Sequence, residues 1–154
     1  MKKIVTLVLT CLFVLSFTGC NQAKTEKVTL HIEDSGVIGQ YVLEAKDNVV
    51  HTITQTTTMD CTGFVEEQFA IIEEAIDEYK GIYDAIDGVT YNVEVTETSM
   101  VETLIIDTTN METIKSLSSQ GLMPVGDGDF IALDETVESM CTDGWIVSES
   151  STDK

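Results

Sequence analysis

The sequence predicts an α+β domain: a mainly antiparallel sheet with one longer and two short helices packed on it, in the order βββ-α-ββ-α-α-β. Three observations carry that expectation. Runs of alternating apolar and polar residues separated by turn residues open the body of the chain. A segment with helical spacing follows, and alternation then returns before two short segments with helix-start signals.

Val28 to Ile32 alternates, with Val28, Leu30 and Ile32 on one face and Thr29 and His31 on the other. "EDSG" supplies a turn, Val37 to Ala45 a second strand, "KDN" another turn, and Val49 to Thr58 a third strand whose threonines suit a wet face. From Phe64 the period changes. Phe64, Ile71, Ile72, Ala75, Ile76, Tyr79 and Tyr83 recur at helical spacing, while Glu66, Glu67, Glu73, Glu74, Asp77 and Glu78 take other positions. Gly81 is expected to end or interrupt this helix. Val89 to Val95 alternates again, and Met100 to Asp107, with its "LII", reads as the most buried strand. Thr109 and Glu112 have capping-box spacing for a short helix through Leu117. A loop of residues 118–129 leads to a last helix, Asp134 to Cys141, closed by Gly144 before "WIVS" returns as a strand or docking segment.

The first nineteen residues belong to a different physical object. Met1-Lys2-Lys3 is a positive start, and Ile4 to Phe17 is apolar apart from Thr6, Thr10 and Ser16. That length suits an export signal and falls short of the roughly 20 residues that span a bilayer. Phe17-Thr18-Gly19-Cys20 resembles a bacterial lipobox, with Gly19 the small residue before the cut and Cys20 the thiol that receives diacylglycerol. Phe17 departs from the usual Leu. The expected division is a lipoprotein signal peptide over 1–19, a lipidated flexible tether over 20–27 and a single α+β domain over 28–150. Two acyl chains at Cys20 would give stable attachment where one gives marginal attachment. The expected location is the extracytoplasmic face of the cell membrane.

Charge excludes some partners. The 154-residue chain carries eight Lys, no Arg and 27 Asp and Glu, a net charge of −19. Loss of residues 1–19 leaves six Lys against the same 27 acids, a balance of −21. Such a surface repels phosphate backbones and lacks the guanidinium fork suited to them, so nucleic acid is excluded as a partner. A 43% apolar content is ample for a folded core.

No catalytic constellation stands out: there is no GxSxG, HExxH, Walker loop or glycine-rich dinucleotide turn. With Cys20 acylated, Cys61 and Cys141 form an even pair in an exported chain, open to a disulfide or to two semi-buried thiols. Cys61 also precedes a predicted helix start, where a thiol pKa falls, although no CxxC accompanies it. Asp127, Asp129 and Glu138 match three positions of an EF-hand loop, but Ile131 and Ala132 stand where an oxygen ligand and the turn glycine belong, and the motif fails. His31 and His51 occupy outward positions of two strands; paired in register they would offer a weak transition-metal site. Tyr41, Tyr79, Tyr83, Tyr91 and Trp145 suit either core or a ligand groove.

Glu78 to Leu117, "EYKGIYDAIDGVTYNVEVTETSMVETLIIDTTNMETIKSL", resembles the YehR-like lipoproteins, small bacterial proteins built on a domain of unknown function. The late "DETVESMCTDGW" helix, ending in Gly144-Trp145, is similar as well. The resemblance implies a small lipid-anchored α+β domain at the cell envelope with no established activity, and it carries over no catalytic residue. The expected function is a non-enzymatic binding or envelope-accessory domain, free of cofactor, that presents a sheet face or loop to a protein, a peptide or a small solute. Two rival readings are a metal-responsive surface lipoprotein using His31 and His51, and a precursor whose signal remnant Leu12 to Gly19 acts as a pheromone.

Overall fold

A computed structural model describes residues 23–123 and 130–153. Three strands come first: β1 (Thr25–Asp34), β2 (Val37–Lys46) and β3 (Val49–Asp60). Helix α1 (Glu66–Tyr83) leads to β4 (Val89–Val95) and β5 (Ser99–Asp107). Helices α2 (Met111–Ser119) and α3 (Leu133–Thr142) and strand β6 (Ile146–Asp153) complete the chain, so the expected α+β class and element order hold. One six-stranded antiparallel sheet runs β4-β5-β3-β2-β1-β6.

The hairpins follow from turn chemistry. Ser35 and Gly36 close the β1–β2 hairpin, Asp47 and Asn48 the β2–β3 hairpin, all four with positive φ. Two-residue turns of that kind match the right-handed twist of the strands they join. Strand β1 starts at Thr25, three residues before the predicted Val28. Thr25 pairs with Lys46 on one side and Asp153 on the other, and Asp47 N–H donates to the Lys24 carbonyl at 2.9 Å. Strand β6 likewise reaches Asp153 instead of stopping at residue 148, because the partner groups along β1 extend that far.

Cross-strand rows assign the faces. Val28–Leu43–Ile53–Ile106–Val89 and Leu30–Tyr41–Gln55–Leu104–Tyr91 point inward. Ile114 and Leu117 of α2 and Leu133 of α3 complete the core with Leu30, Leu43 and Val50. The opposite face bears Thr52, Thr54, Thr56 and Thr58 in one file, and no described element covers it. An antiparallel sheet tolerates that arrangement when one side is polar enough for water.

The helices differ from expectation in their ends. Helix α1 runs through Gly81, which faces open space, and ends at Tyr83. Tyr83 alone is buried in α1; its ring lies 4.9 Å from that of Tyr91 and pins the helix end to β4, while Ile71 stays 67% exposed. The α2 cap is Asn110, whose side chain accepts from Glu112 N–H at 3.0 Å. Thr109, the expected cap, bonds the Asp107 carboxylate through both its amide and its hydroxyl. Gly88, with φ +81, passes so close to α2 that a Cβ there would meet the Thr113 hydroxyl at 2.8 Å. That hydroxyl donates to the Asp87 carbonyl at 2.7 Å and docks α2 to the β4 entry.

Helix α3 starts one residue earlier than expected, at Leu133, and is clipped to the β2–β3 turn. Leu133 N–H donates to the Asn48 carbonyl and Asp134 N–H to the Asn48 amide oxygen, while Asn48 Nδ2 donates to the Asp134 carboxylate at 2.7 Å. No helix among the described residues is long and apolar enough to cross a membrane.

Candidate functional site

The geometry at the centre of the inner face depends on how the chain leaves α3. Gly144, with φ +96, lets the helix close in a six-to-one turn: Trp145 N–H donates to the Met140 carbonyl at 3.0 Å and Gly144 N–H to that of Cys141 at 3.2 Å. This turn delivers Trp145 onto the sheet. The indole lies directly over Gly39, where an added Cβ would sit 2.8 Å from the ring. Tyr41 meets the same indole edge-on, centroids 4.9 Å apart. Strand, helix end and aromatic pair form one wall.

Beyond that wall the inner face of the sheet, α2 and α3 form a half-open cavity of about 460 Å3. Its floor is Leu43, Ile53, Leu104 and Ile106, and Ile114 and the thioethers of Met111, Met123 and Met140 form its sides. Volume and lining fall within the range of small-molecule sites, which are mostly apolar with a few placed polar groups. The polar group on the floor is the Tyr41–Gln55 pair, in which the phenol donates to Gln55 Oε1 at 2.7 Å. Burial chiefly, with the nearby Tyr83 and Glu102 adding, holds the Tyr41 hydroxyl above its ordinary pKa, so it stays a neutral donor. Glu135 and Asp143 of the α3 segment contribute carboxylates to the lining, which contains no Lys or His among the described residues. A second hollow of about 410 Å3 lies on the other side of Tyr41 and Trp145, toward Asp34 and Ser35 of the β1–β2 turn.

A second polar feature sits under α1. Glu102 belongs to the inner row Thr57–Glu102–Val93, and its carboxylate stands beside Tyr91. Burial first, then the nearby Glu102 carboxylate, pushes the Tyr91 phenol well above its ordinary value; burial and Glu102 act in the same direction on Tyr83. The tyrosine spacing was visible in the sequence, but Glu102 was not singled out, since its inward direction depends on the register with β3.

The sequence candidates separate in space. His31 lies on the outer face in the row Gln40–Thr56, and its Nδ1 is buried without a partner. His51 is the extra residue of a bulge opposite Glu44 and Ala45, its Nδ1 3.2 Å from the Thr52 hydroxyl. β2 lies between their strands, and by strand rise and spacing the two residues are roughly 20 Å apart. The structure therefore does not bring the histidines together, and no group of three or more His, Cys, Asp or Glu is placed to hold a metal among the described residues.

Both thiols are free: Cys61 is fully buried and Cys141 is exposed. Cys61 follows β3, fixed by its N–H to the Thr98 carbonyl at 2.9 Å, and its thiol faces the Met59 carbonyl. The two sit apart as separate thiols here: the β4–β5 turn holds one while the other rides on the solvent side of α3. Cys61 also stands five residues ahead of α1, away from the helix N-terminus expected to activate it. Gly19, Cys20, Asp127 and Asp129 lie outside the described residues.

These features define a small open-faced α+β domain with a helix-covered apolar cavity. Among solved structures the chain is similar to the NMR structure of the Escherichia coli YehR protein, with a TM-score of 0.64 at 15% identity over 82% of this chain and 93% of that one. It is also similar to the NMR structure of a Streptococcus pneumoniae protein, with a TM-score of 0.50 at 14% identity over 96% of this chain and 98% of that one. The fold is therefore YehR-like. No family model and no curated protein matches the sequence.

Proposed function

We propose that the chain is an extracytoplasmic lipoprotein, cut between Gly19 and Cys20 and acylated at Cys20, whose folded body is a non-enzymatic binding domain for a small apolar solute. The apolar run followed by Gly19-Cys20 and a short polar tether supports the anchoring. The observation that carries the binding reading is the 460 Å3 cavity walled by aliphatic side chains and three methionines. Aliphatic lining favours solute by burial of apolar area, about 25 cal/mol per Å2, and thioethers repack around differing shapes.

Two measurements test the two halves separately. Replacement of Cys20 by Ala is expected to abolish incorporation of labelled palmitate and to remove the processed protein from the membrane fraction; palmitate incorporation by the C20A variant would refute the anchoring. Trp145, the sole tryptophan, lines the cavity and reports on its contents. Titration with a brominated alkane is expected to quench its fluorescence saturably. Absence of saturable quenching would refute binding in the cavity.

A further inference from the structure

Resting on that reading of the cavity, we infer that the solute is an uncharged amphiphile: an acyl chain whose ester or amide carbonyl oxygen is held by the Tyr41–Gln55 pair. Gln55 Oε1 is already committed to the Tyr41 hydroxyl, while the amide nitrogen has no partner among the described residues. Gln55 lines both hollows, so its amide hydrogens are presented to what enters them. Turning the amide end for end leaves a spare donor all the same, because Tyr41 then accepts from the nitrogen and keeps its own hydrogen. A spare donor that lines both hollows is open to an acceptor; a carbonyl oxygen supplies one without bringing charge.

Charge decides between kinds of acyl compound. A free fatty acid carries an acceptor too, but it is anionic at neutral pH. The described lining offers it no cation and sets Glu135 and Asp143 near the cavity. An anion there meets like charge and loses its hydration without compensation. An ester or amide of the same chain keeps the apolar contacts and the acceptor. The methionines accommodate chains of differing length and unsaturation, so selectivity lies in the head of the molecule and not in its tail.

The test uses the protein purified as its producing cell processes it, with Trp145 quenching by three brominated probes: a monoacylglycerol, the matching fatty acid at neutral pH and the matching alkane. The monoacylglycerol is expected to bind at least tenfold more tightly than either of the others. Gln55→Leu and, independently, Tyr41→Phe are expected to reduce that preference over the alkane by at least fivefold. Equal binding of fatty acid and monoacylglycerol would overturn the charge argument, and a monoacylglycerol preference unchanged in both variants would overturn the carbonyl contact. Either result leaves the cavity as a binding site. Failure of all three probes to quench overturns this inference and the binding function together.

Discussion

Replacing Gly39 by Ala tests the packing that shapes the cavity wall. The new methyl carbon would lie 2.8 Å from Trp145 Cη2, 3.1 Å from Ile32 Cγ2 and 3.4 Å from Trp145 Cζ3. Contacts below 3.0 Å force a shift, and the obstacle is a rigid ring held on one side by Tyr41 and by the backbone turn after α3. Overpacking of this kind costs about 1–3 kcal/mol. Removing glycine from a strand restricts the unfolded chain and returns about 0.4–1 kcal/mol. The expected net loss is about 1–2 kcal/mol, or about a 5–30-fold change in the folding equilibrium. Urea denaturation followed by far-ultraviolet circular dichroism measures it without depending on the indole. The control is the same substitution in a Trp145→Leu background. With the ring gone only the 3.1 Å contact to Ile32 Cγ2 remains, and the loss from G39A is expected to shrink clearly. An equal loss with and without the indole would refute the interlock of strand and ring.

The clip between Asn48 and Asp134 predicts a coupled pair: N48G keeps the left-handed turn yet drops the side-chain bonds, each single change costs about 0.5–2 kcal/mol, and the double mutant loses less than the sum. Additive losses in a denaturation cycle would contradict it. Hydrogen bonds from Asn48 and Glu135 N–H hold the Asp134 carboxyl below its ordinary value, so its contribution is present above the unfolded carboxyl pKa and fades as pH falls; D134N is expected to flatten the acid limb of a thermal-stability profile. Tyr41, Tyr83 and Tyr91 are shifted up, so their stability contribution is complete below the ordinary phenol pKa of about 10 and is lost as pH climbs beyond it. Glu102→Gln removes the negative charge beside Tyr91 and Tyr83, and tyrosinate absorbance should then rise at lower pH; an unmoved titration curve would sink that assignment. A thiol reagent is expected to modify Cys141 in the folded protein and Cys61 only after unfolding, read by mass spectrometry of digests.

The parts of the fold that local chemistry controls were legible before the structure. "EDSG" and "KDN" place positive-φ residues between alternating runs, and the two central hairpins form there. The helix ends were less legible because they depend on neighbours: Gly81 stays helical, since Tyr83 one half-turn later anchors the helix to Tyr91, and the α2 cap passes from Thr109 to Asn110 because Asp107 engages Thr109 first. The site was least legible. Tyr41 and Trp145 were marked as aromatic residues suited to core or groove, yet their meeting requires Gly39, two residues before Tyr41 on the same strand. Gln55 drew no attention within "TITQTTT". Alternation puts it on the Ile53 face, opposite the threonine file, but only the register of β2 against β3 shows that it stands across from Tyr41. Likewise, the histidine pair depended on strand order, and β2 lies where adjacency was needed.

The distribution of charge connects the anchoring and binding proposals. Glu66, Glu67, Glu73, Glu74, Asp77 and Glu78 are all exposed on α1, whereas the middle of the uncovered sheet face carries Gln40, Val42, Thr54, Thr56 and Thr103. Anionic headgroups repel the acidic body, but only within about 8 Å at physiological ionic strength. The five residues from Cys20 to Lys24 reach about 17 Å when extended, and β1 takes over at Thr25. An anchored body therefore has enough slack to stand beyond the field of its own membrane. On the proposed anchoring and binding, it would draw solute from water rather than directly from the bilayer. That favours single-chain, uncharged amphiphiles, which leave a membrane far more readily than two-chain phospholipids because each additional buried methylene adds about 0.8 kcal/mol to retention. The same class of solute is the one for which an aliphatic cavity, a spare amide donor and acidic groups are suited.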